Sequence, residues 1–385
     1  MKLPPFNKRL ESIEPSRIKI DFTKLKDPEV LSLSIGEPDF ETPWGISQAG
    51  IEAIQHGYTF YSDDAGLPSL REEISSYVKR HYGLHYEAKD EVLVTVGASE
   101  AIDLTFRAIL NEGDEVLIPM PSYISYGPLV TLLGGVVKPV VIKEDKKFRL
   151  QPEDLEKAIT PKSKILVLNY PHNPTGAILE KEDLERLAPV IKKHNLYVIS
   201  DEIYAELTYG KKHVSMASLP DMKERTIYIS GFSKAFAMTG WRLGYVCSSK
   251  EIIAHLRKVH QYAMLAAPTI SQFAAVEALK NNEGETYKMR DAYDERRKYL
   301  VQALRDIGLS CFTPEGAFYV FPSIKKTGLT SDQFVTQLFD KEKLLLIAGN
   351  GFGEAGEGYV RISYAYSLDK LKEGIRRISK FLKEI

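Results

Sequence analysis

Lys234 lies in a stretch whose residue types could make a lysine reactive, TIYISGFSKAFAMTGWRLGY from Thr226 to Tyr245. A β-branched and aromatic run, Thr226-Ile227-Tyr228-Ile229, suits a buried strand and stops at Ser230-Gly231. Lys234 follows beside Ser233, and Arg242 stands eight residues further on. A lysine just past the carboxyl end of a buried strand is placed to be desolvated. Desolvation lowers its pKa and makes the amine a nucleophile toward carbonyls. Taken alone, the same spacing describes a solvated loop lysine and a surface arginine in an ion pair. The other strand ends must decide.

From about residue 91 the pattern reads strand, turn, helix, repeated. Val92–Thr95 runs into Gly97-Ala98-Ser99-Glu100 and a helix through Ile109, and Val116–Ile118 is followed by Pro119-Met120-Pro121-Ser122-Tyr123. Ile165–Leu168 leads to NYPHNPTG with Asn173, and Tyr197–Ser200 ends at Asp201-Glu202-Ile203-Tyr204. Runs apolar on both faces, alternating with helices, imply a mostly parallel sheet covered on both sides. Ligands of such sheets bind outside the carboxyl ends of the strands. Singly, Ser99 or Asp201 reads as a helix cap, Asn173 as turn chemistry and Tyr123 as core. Together they fit one molecule. Gly97-Ala98-Ser99 at a helix start suits a phosphate, with Ser233 and Arg242 adding a hydroxyl and a guanidinium. Asp201 suits a protonated ring nitrogen, Tyr123 a flat ring, and Lys234 an aldehyde. Pyridoxal 5′-phosphate carries all four groups.

The elements that must position these residues divide the chain. Prolines at 4, 5, 15 and 28 make the start an extended arm with a short helix. Val30–Ile35 reads as a strand closed by the turn Gly36-Glu37-Pro38-Asp39. Apolar spacing predicts a helix over Ser69–Tyr82. Near Asn281–Gly284 the composition turns polar, and a charged helix covers Thr286–Ile307. Strands return at Ala317–Phe321, Leu344–Ile347 and Tyr359–Tyr364, before an amphipathic helix over Leu368–Leu382. The expectation is an α/β chain: a large domain over 46–282, and a smaller α+β domain from 1–45 and 283–385.

The totals narrow the partners. Lys+Arg 51 against Asp+Glu 52 gives a net charge of −1, no footprint for nucleic acid or an anionic membrane. Two cysteines, Cys247 and Cys311, make neither a disulfide framework nor a Cys-rich zinc site, and the histidines form no ligand cluster. No apolar run approaches a membrane span, so the cytosol is the expected compartment. Gly351–Gly356 spells GxGxxG, but the residues after it read as strand rather than as the helix a dinucleotide site requires.

SGFSKAFAMTGWRLGY, YPHNPTG, SDEIYAELTY, SIGEPDF and EGYVRISYA, in order over nearly the whole chain, resemble the motifs of the fold-type-I aminotransferases. The resemblance implies an aspartate-aminotransferase-like fold with pyridoxal 5′-phosphate joined by an imine to Lys234 and its ring nitrogen paired with Asp201. By the same likeness Asn173 and Tyr204 bond the ring oxygen, while Ala98, Ser99, Ser233 and Arg242 bind the phosphate. Tyr61 would reach the phosphate of a neighbouring subunit, which makes a homodimer with shared sites. Arg361 and the backbone at Gly36 would hold the substrate α-carboxylate. Two positions depart from the pattern: Gly231 replaces the serine of several relatives, and Ala348 precedes Gly349 where many have proline. The expected reaction is ping-pong transamination between an L-amino acid and 2-oxoglutarate. The motifs lean toward the aromatic and N-acetyl-LL-diaminopimelate branch, with aspartate aminotransferases close by. A carbon–sulfur β-lyase is the rival within the same fold.

Overall fold

The computed structural model describes residues 4–15 and 27–385. Seven strands form the central sheet: β1 (Val92–Thr95), β2 (Glu115–Met120), β3 (Val136–Val141), β4 (Ser163–Asn169), β5 (Tyr197–Asp201), β6 (Thr226–Gly231) and β7 (Gly244–Cys247). Their order is β1-β7-β6-β5-β4-β2-β3. Every pairing is parallel except those of β7, which runs against both β1 and β6. The interior residues of β1, β6 and β7 are buried throughout, as the β-branched and aromatic runs require when helices cover both faces.

This topology brings the carboxyl ends of β1, β2, β4, β5 and β6 to one edge. β7 enters from that same edge, so Arg242, two residues before it, arrives there as well. Register sets the levels: Gly244 lies opposite both Thr95 and Gly231, and Asp201 lies opposite Asn169 and Ile229. A Cβ on Gly244 would stand 2.6 Å from the Ala98 nitrogen, and one on Gly231 would stand 2.9 Å from the Gly244 Cα. The missing side chains let the turn after β1 settle against the sheet. At Gly231 a side chain would press on the backbone of Leu243 and Gly244.

A second layer holds β8 (Tyr319–Val320), β9 (Ile347–Ala348) and β10 (Val360–Ser363), an antiparallel sheet in the order β9-β10-β8. Helices Glu283–Asp306, Ser331–Glu342 and Leu368–Leu382 cover it. The last buries Leu371, Gly374, Ile378 and Phe381, a stripe at helical spacing. The expected strand Leu344–Ile347 divides in two. Leu344–Leu345 pairs with Leu31–Ser32, whereas Ile347–Ala348 pairs with β10. Of Val30–Ile35 only Leu31–Ser32 is strand, but the chain continues along β10, where Ser363 N donates to Leu33 O at 2.9 Å. That run carries Ser34 and Gly36 to the sheet edge. The arm shows its short helix at Lys8–Glu11, and residues 16–26 of it lie outside the described residues. No described helix is long and apolar enough to cross a membrane.

Candidate active site

The strand ends and the second layer enclose a cavity of about 430 Å³. Gly36, Ala98, Ser99, Tyr123, Asn173, Asp201, Tyr204, Ser233, Lys234, Arg242 and Arg361 all line it. Tyr61 is the one expected residue that the chain does not bring there; it stands 83% exposed beside Phe60.

Lys234 sits in the single helical turn Phe232–Ala235 that follows β6. Its Nζ donates to the Gly36 carbonyl at 2.6 Å. Burial brings its pKa down to about 8, against the pull of the Glu37 carboxylate and with further lowering from Arg361 and Arg242.

Asp201 closes β5 and is buried. Tyr126 donates its hydroxyl to Asp201 Oδ2 at 2.5 Å, and Asn169 Nδ2 donates to the Asp201 carbonyl at 3.2 Å. Asn169 Oδ1 in turn accepts from the Asn173 N–H at 3.1 Å, which ties the loop after β4 to the strand end that bonds Asp201. Burial pushes the Asp201 carboxyl up to about 6, and the Tyr126 hydrogen bond works against that rise. A neighbouring cation would return it to the carboxylate form.

Gly97 opens the helix Gly97–Ile109 with φ of +77°, and Arg242 takes φ of +53°, a left-handed conformation that a non-glycine residue adopts rarely. The two meet: a Cβ on Gly97 would lie 2.9 Å from Arg242 Nη2. A guanidinium held beside the first amides of a helix suits an anion. Ser233 is buried at this wall and Ser99 is exposed.

Arg361 faces the cavity from β10 and is buried. Nη1 donates to Asn173 Oδ1 at 2.9 Å and Nη2 to the Ser34 carbonyl at 2.7 Å. Its guanidinium lies over the Tyr319 ring at 4.3 Å and the Phe352 ring at 4.9 Å. Nε has no hydrogen-bond partner among the described residues. Tyr204 shares a 2.8 Å hydrogen bond with Tyr319, and burial raises the Tyr204 pKa well above its usual value, so its hydroxyl stays protonated.

Glu37 and Tyr319 on the wall, and Tyr126 behind Asp201, are not among the residues the sequence points to. Tyr126 follows Tyr123 by three in PSYISY, one helical turn on, and that spacing was the available signal. Tyr319 and Glu37 offered none beyond lying in AFYVF and IGEPD. The GxGxxG stretch forms two 3-10 turns, Gly349–Phe352 and Glu354–Gly356, and leads into β10 instead of a helix. Among the described residues no group of three or more His, Cys, Asp or Glu is arranged to hold a metal ion.

The arrangement fits pyridoxal 5′-phosphate on its own terms. It offers a cradle that a Cβ on Gly97 would fill, a buried carboxyl, and a lysine with a depressed pKa. A family model for aminotransferase class I and II matches residues 28–378. The chain is 44% identical over 382 residues to the aspartate aminotransferase of Pyrococcus abyssi, covering 98% of each. It is 42% identical over 380 residues to the aromatic-amino-acid aminotransferase 2 of Thermococcus litoralis, again 98% of each. The crystal structure of the aromatic aminotransferase from Pyrococcus horikoshii superposes with a TM-score of 0.91 at 44% identity, over 94% of this chain and 98% of that one.

Proposed function

The chain belongs to the class I and II aminotransferases, which use pyridoxal 5′-phosphate, and on that premise we propose that it moves an amino group between an aromatic or similarly bulky L-amino acid and 2-oxoglutarate. One observation carries the reading: Lys234, Asp201, Arg242 and Arg361 face a single cavity whose remaining wall includes Ile35, Ile102, Tyr123 and Ile124. When bound, pyridoxal 5′-phosphate supplies an aldehyde that condenses with amines and a ring that draws electrons from the bond being broken.

The chain's own residues do the rest. Arg242, Ser233 and the amides at Ala98 and Ser99 would hold the phosphate. Asp201 would keep a proton on the ring nitrogen, and Tyr123, Asn173 and Tyr204 would hold the ring and its oxygen. Lys234 would hold the cofactor's aldehyde, and its Nζ is the base placed to take the proton from the substrate Cα. An amine with a pKa of about 8 is suited to both directions near neutrality. Arg361 and the backbone at Gly36 hold the α-carboxylate, and closure of the 1–45 and 283–385 unit over the 46–282 unit excludes water. Tyr61 and Phe60, both more than four-fifths exposed, support a homodimer in which Tyr61 reaches the neighbour's phosphate.

A half-reaction screen across amino acids, read by loss of the cofactor's visible absorbance, tests the donor. Phenylalanine, tyrosine or another bulky donor is expected to lead. Aspartate is the second reading, favoured by the 44% identity to an enzyme of that name. A kcat/KM for aspartate tenfold or more above those of phenylalanine, tyrosine and N-acetyl-LL-diaminopimelate, the criterion being one full factor of ten or about 1.4 kcal/mol, would select it.

A further inference from the structure

The helix that opens the phosphate cradle carries an acid one residue beyond Ser99, and that acid folds back on the turn. Glu100 Oε2 accepts from the Val96 N–H at 2.5 Å, so the side chain grips the residue immediately before Gly97. Its Oε1 lies 2.7 Å from His260 Nδ1. Both side chains are buried, Glu100 at 7% and His260 at 0% exposure. His260 comes from the helix Lys250–Ala263, which packs along Gly97–Ile109. A carboxylate can only accept, so Nδ1 carries the hydrogen. His260 Nε2 is buried and has no partner among the described residues.

A carboxylate in the first turn favours the helix, but it also opposes a phosphate dianion bound at the same turn. Burying it without a partner would be costly. The opposite face of the turn is already fixed, since Gly244 backs the Ala98 nitrogen and Arg242 backs Gly97. Two hydrogen bonds hold the turn itself: the Thr95 hydroxyl donates to the Gly97 carbonyl at 3.0 Å, and the Val96 N–H donates to Glu100.

We propose that Glu100 and His260 are a positioning pair for the cofactor's phosphate, resting on the cofactor reading above. Glu100 fixes the Val96–Gly97 turn so that the following amides face the dianion. His260 holds Glu100 in that pose and draws its charge away from the phosphate. Neither residue touches the reacting atoms.

The test compares two probes on the cofactor-free protein, pyridoxal 5′-phosphate and pyridoxal, which lacks the phosphate. Both dissociation constants are measured for the unaltered chain, His260→Leu, His260→Asn and Glu100→Ala. Losing one charge-assisted hydrogen bond predicts that His260→Leu and Glu100→Ala weaken pyridoxal 5′-phosphate about tenfold and pyridoxal by less than about twofold. His260→Asn, whose amide can donate where Nδ1 does, recovers most of the loss. Equal weakening of both probes would show general damage to the fold, and unchanged affinities would show no role; either result overturns the proposal. Glu100→Ala decides the matter if His260→Leu does not fold. An unaltered chain that binds both probes equally would instead sink the phosphate-cradle reading itself.

Discussion

Lys234 and Arg361 are two cations facing one cavity from opposite sides, and the chain treats them in opposite ways. Lys234 rides on a short turn after the central sheet, and its hydrogen bond is to the Gly36 carbonyl. Burial therefore shifts it toward the neutral amine. Arg361 is the more fully enclosed, yet it has two hydrogen-bond acceptors and two aromatic rings around it. Those partners offset the desolvation of a guanidinium, which stays charged at any accessible pH. One cation is built to give up its proton and the other to keep it. The difference matches the proposed division of labour, Lys234 for chemistry and Arg361 for binding.

Removing each cation should break the comparison in a different place. Lys234→Ala deletes the group proposed to move the proton, so kcat should fall by ~10⁴ or more. Borohydride treatment and peptide mapping should find a pyridoxyl group on Lys234 in the unaltered chain and none at that position in the variant. A variant within tenfold of full activity would remove Lys234 from the chemistry. Arg361→Lys keeps the charge and loses the planar fork, so kcat/KM should drop about 10- to 150-fold, mostly through KM, with the cofactor still bound. Unchanged kinetics would place the α-carboxylate elsewhere.

The two cations were also unequally legible. The stretch from Thr226 to Ile229 announces a buried strand, so the position of Lys234 follows from local pattern. The strand Val92–Thr95 and the helix Leu368–Leu382 match their expected bounds for the same reason. Arg361 depends on pairings between distant segments, and there local pattern fails. Nothing in Leu344–Ile347 says that its halves pair with Leu31–Ser32 and with β10. β3 carries no clear strand pattern, because it is an edge strand with exposed positions and holds Lys138 and Pro139. Tyr126 and Tyr319 meet their partners across 75 and 115 residues of chain, separations no short motif encodes.

A milder probe sharpens the contrast without mutation. The neutral form of Lys234 is the reactive one, and a pKa of about 8 puts the change within reach of ordinary buffers. The rate at which cofactor-free protein condenses with pyridoxal 5′-phosphate, corrected for the free aldehyde's own titration, should rise from pH 6 and level off above about 9. Between pH 8 and pH 7 the drop should be about fivefold, since one unit below the pKa only about a tenth of the amine is neutral. A rate still climbing past pH 10 would show that burial is not depressing this lysine.

The smallest effect should come from behind the cofactor site. Tyr126→Phe removes the 2.5 Å hydrogen bond to Asp201 and leaves the ring's packing in place. That bond stabilises the carboxylate, so its loss raises the Asp201 pKa above its present value of about 6. A raised pKa means that the carboxylate is lost earlier as the pH falls. The acid limb of kcat should therefore move to higher pH, and kcat at neutrality should fall about fivefold, the worth of roughly 1 kcal/mol for one hydrogen bond. Cofactor affinity should change less than the acid limb does. If the limb stays where it is while kcat falls, Tyr126 acts through packing alone, and Asp201 owes its state to burial and to the ring it faces.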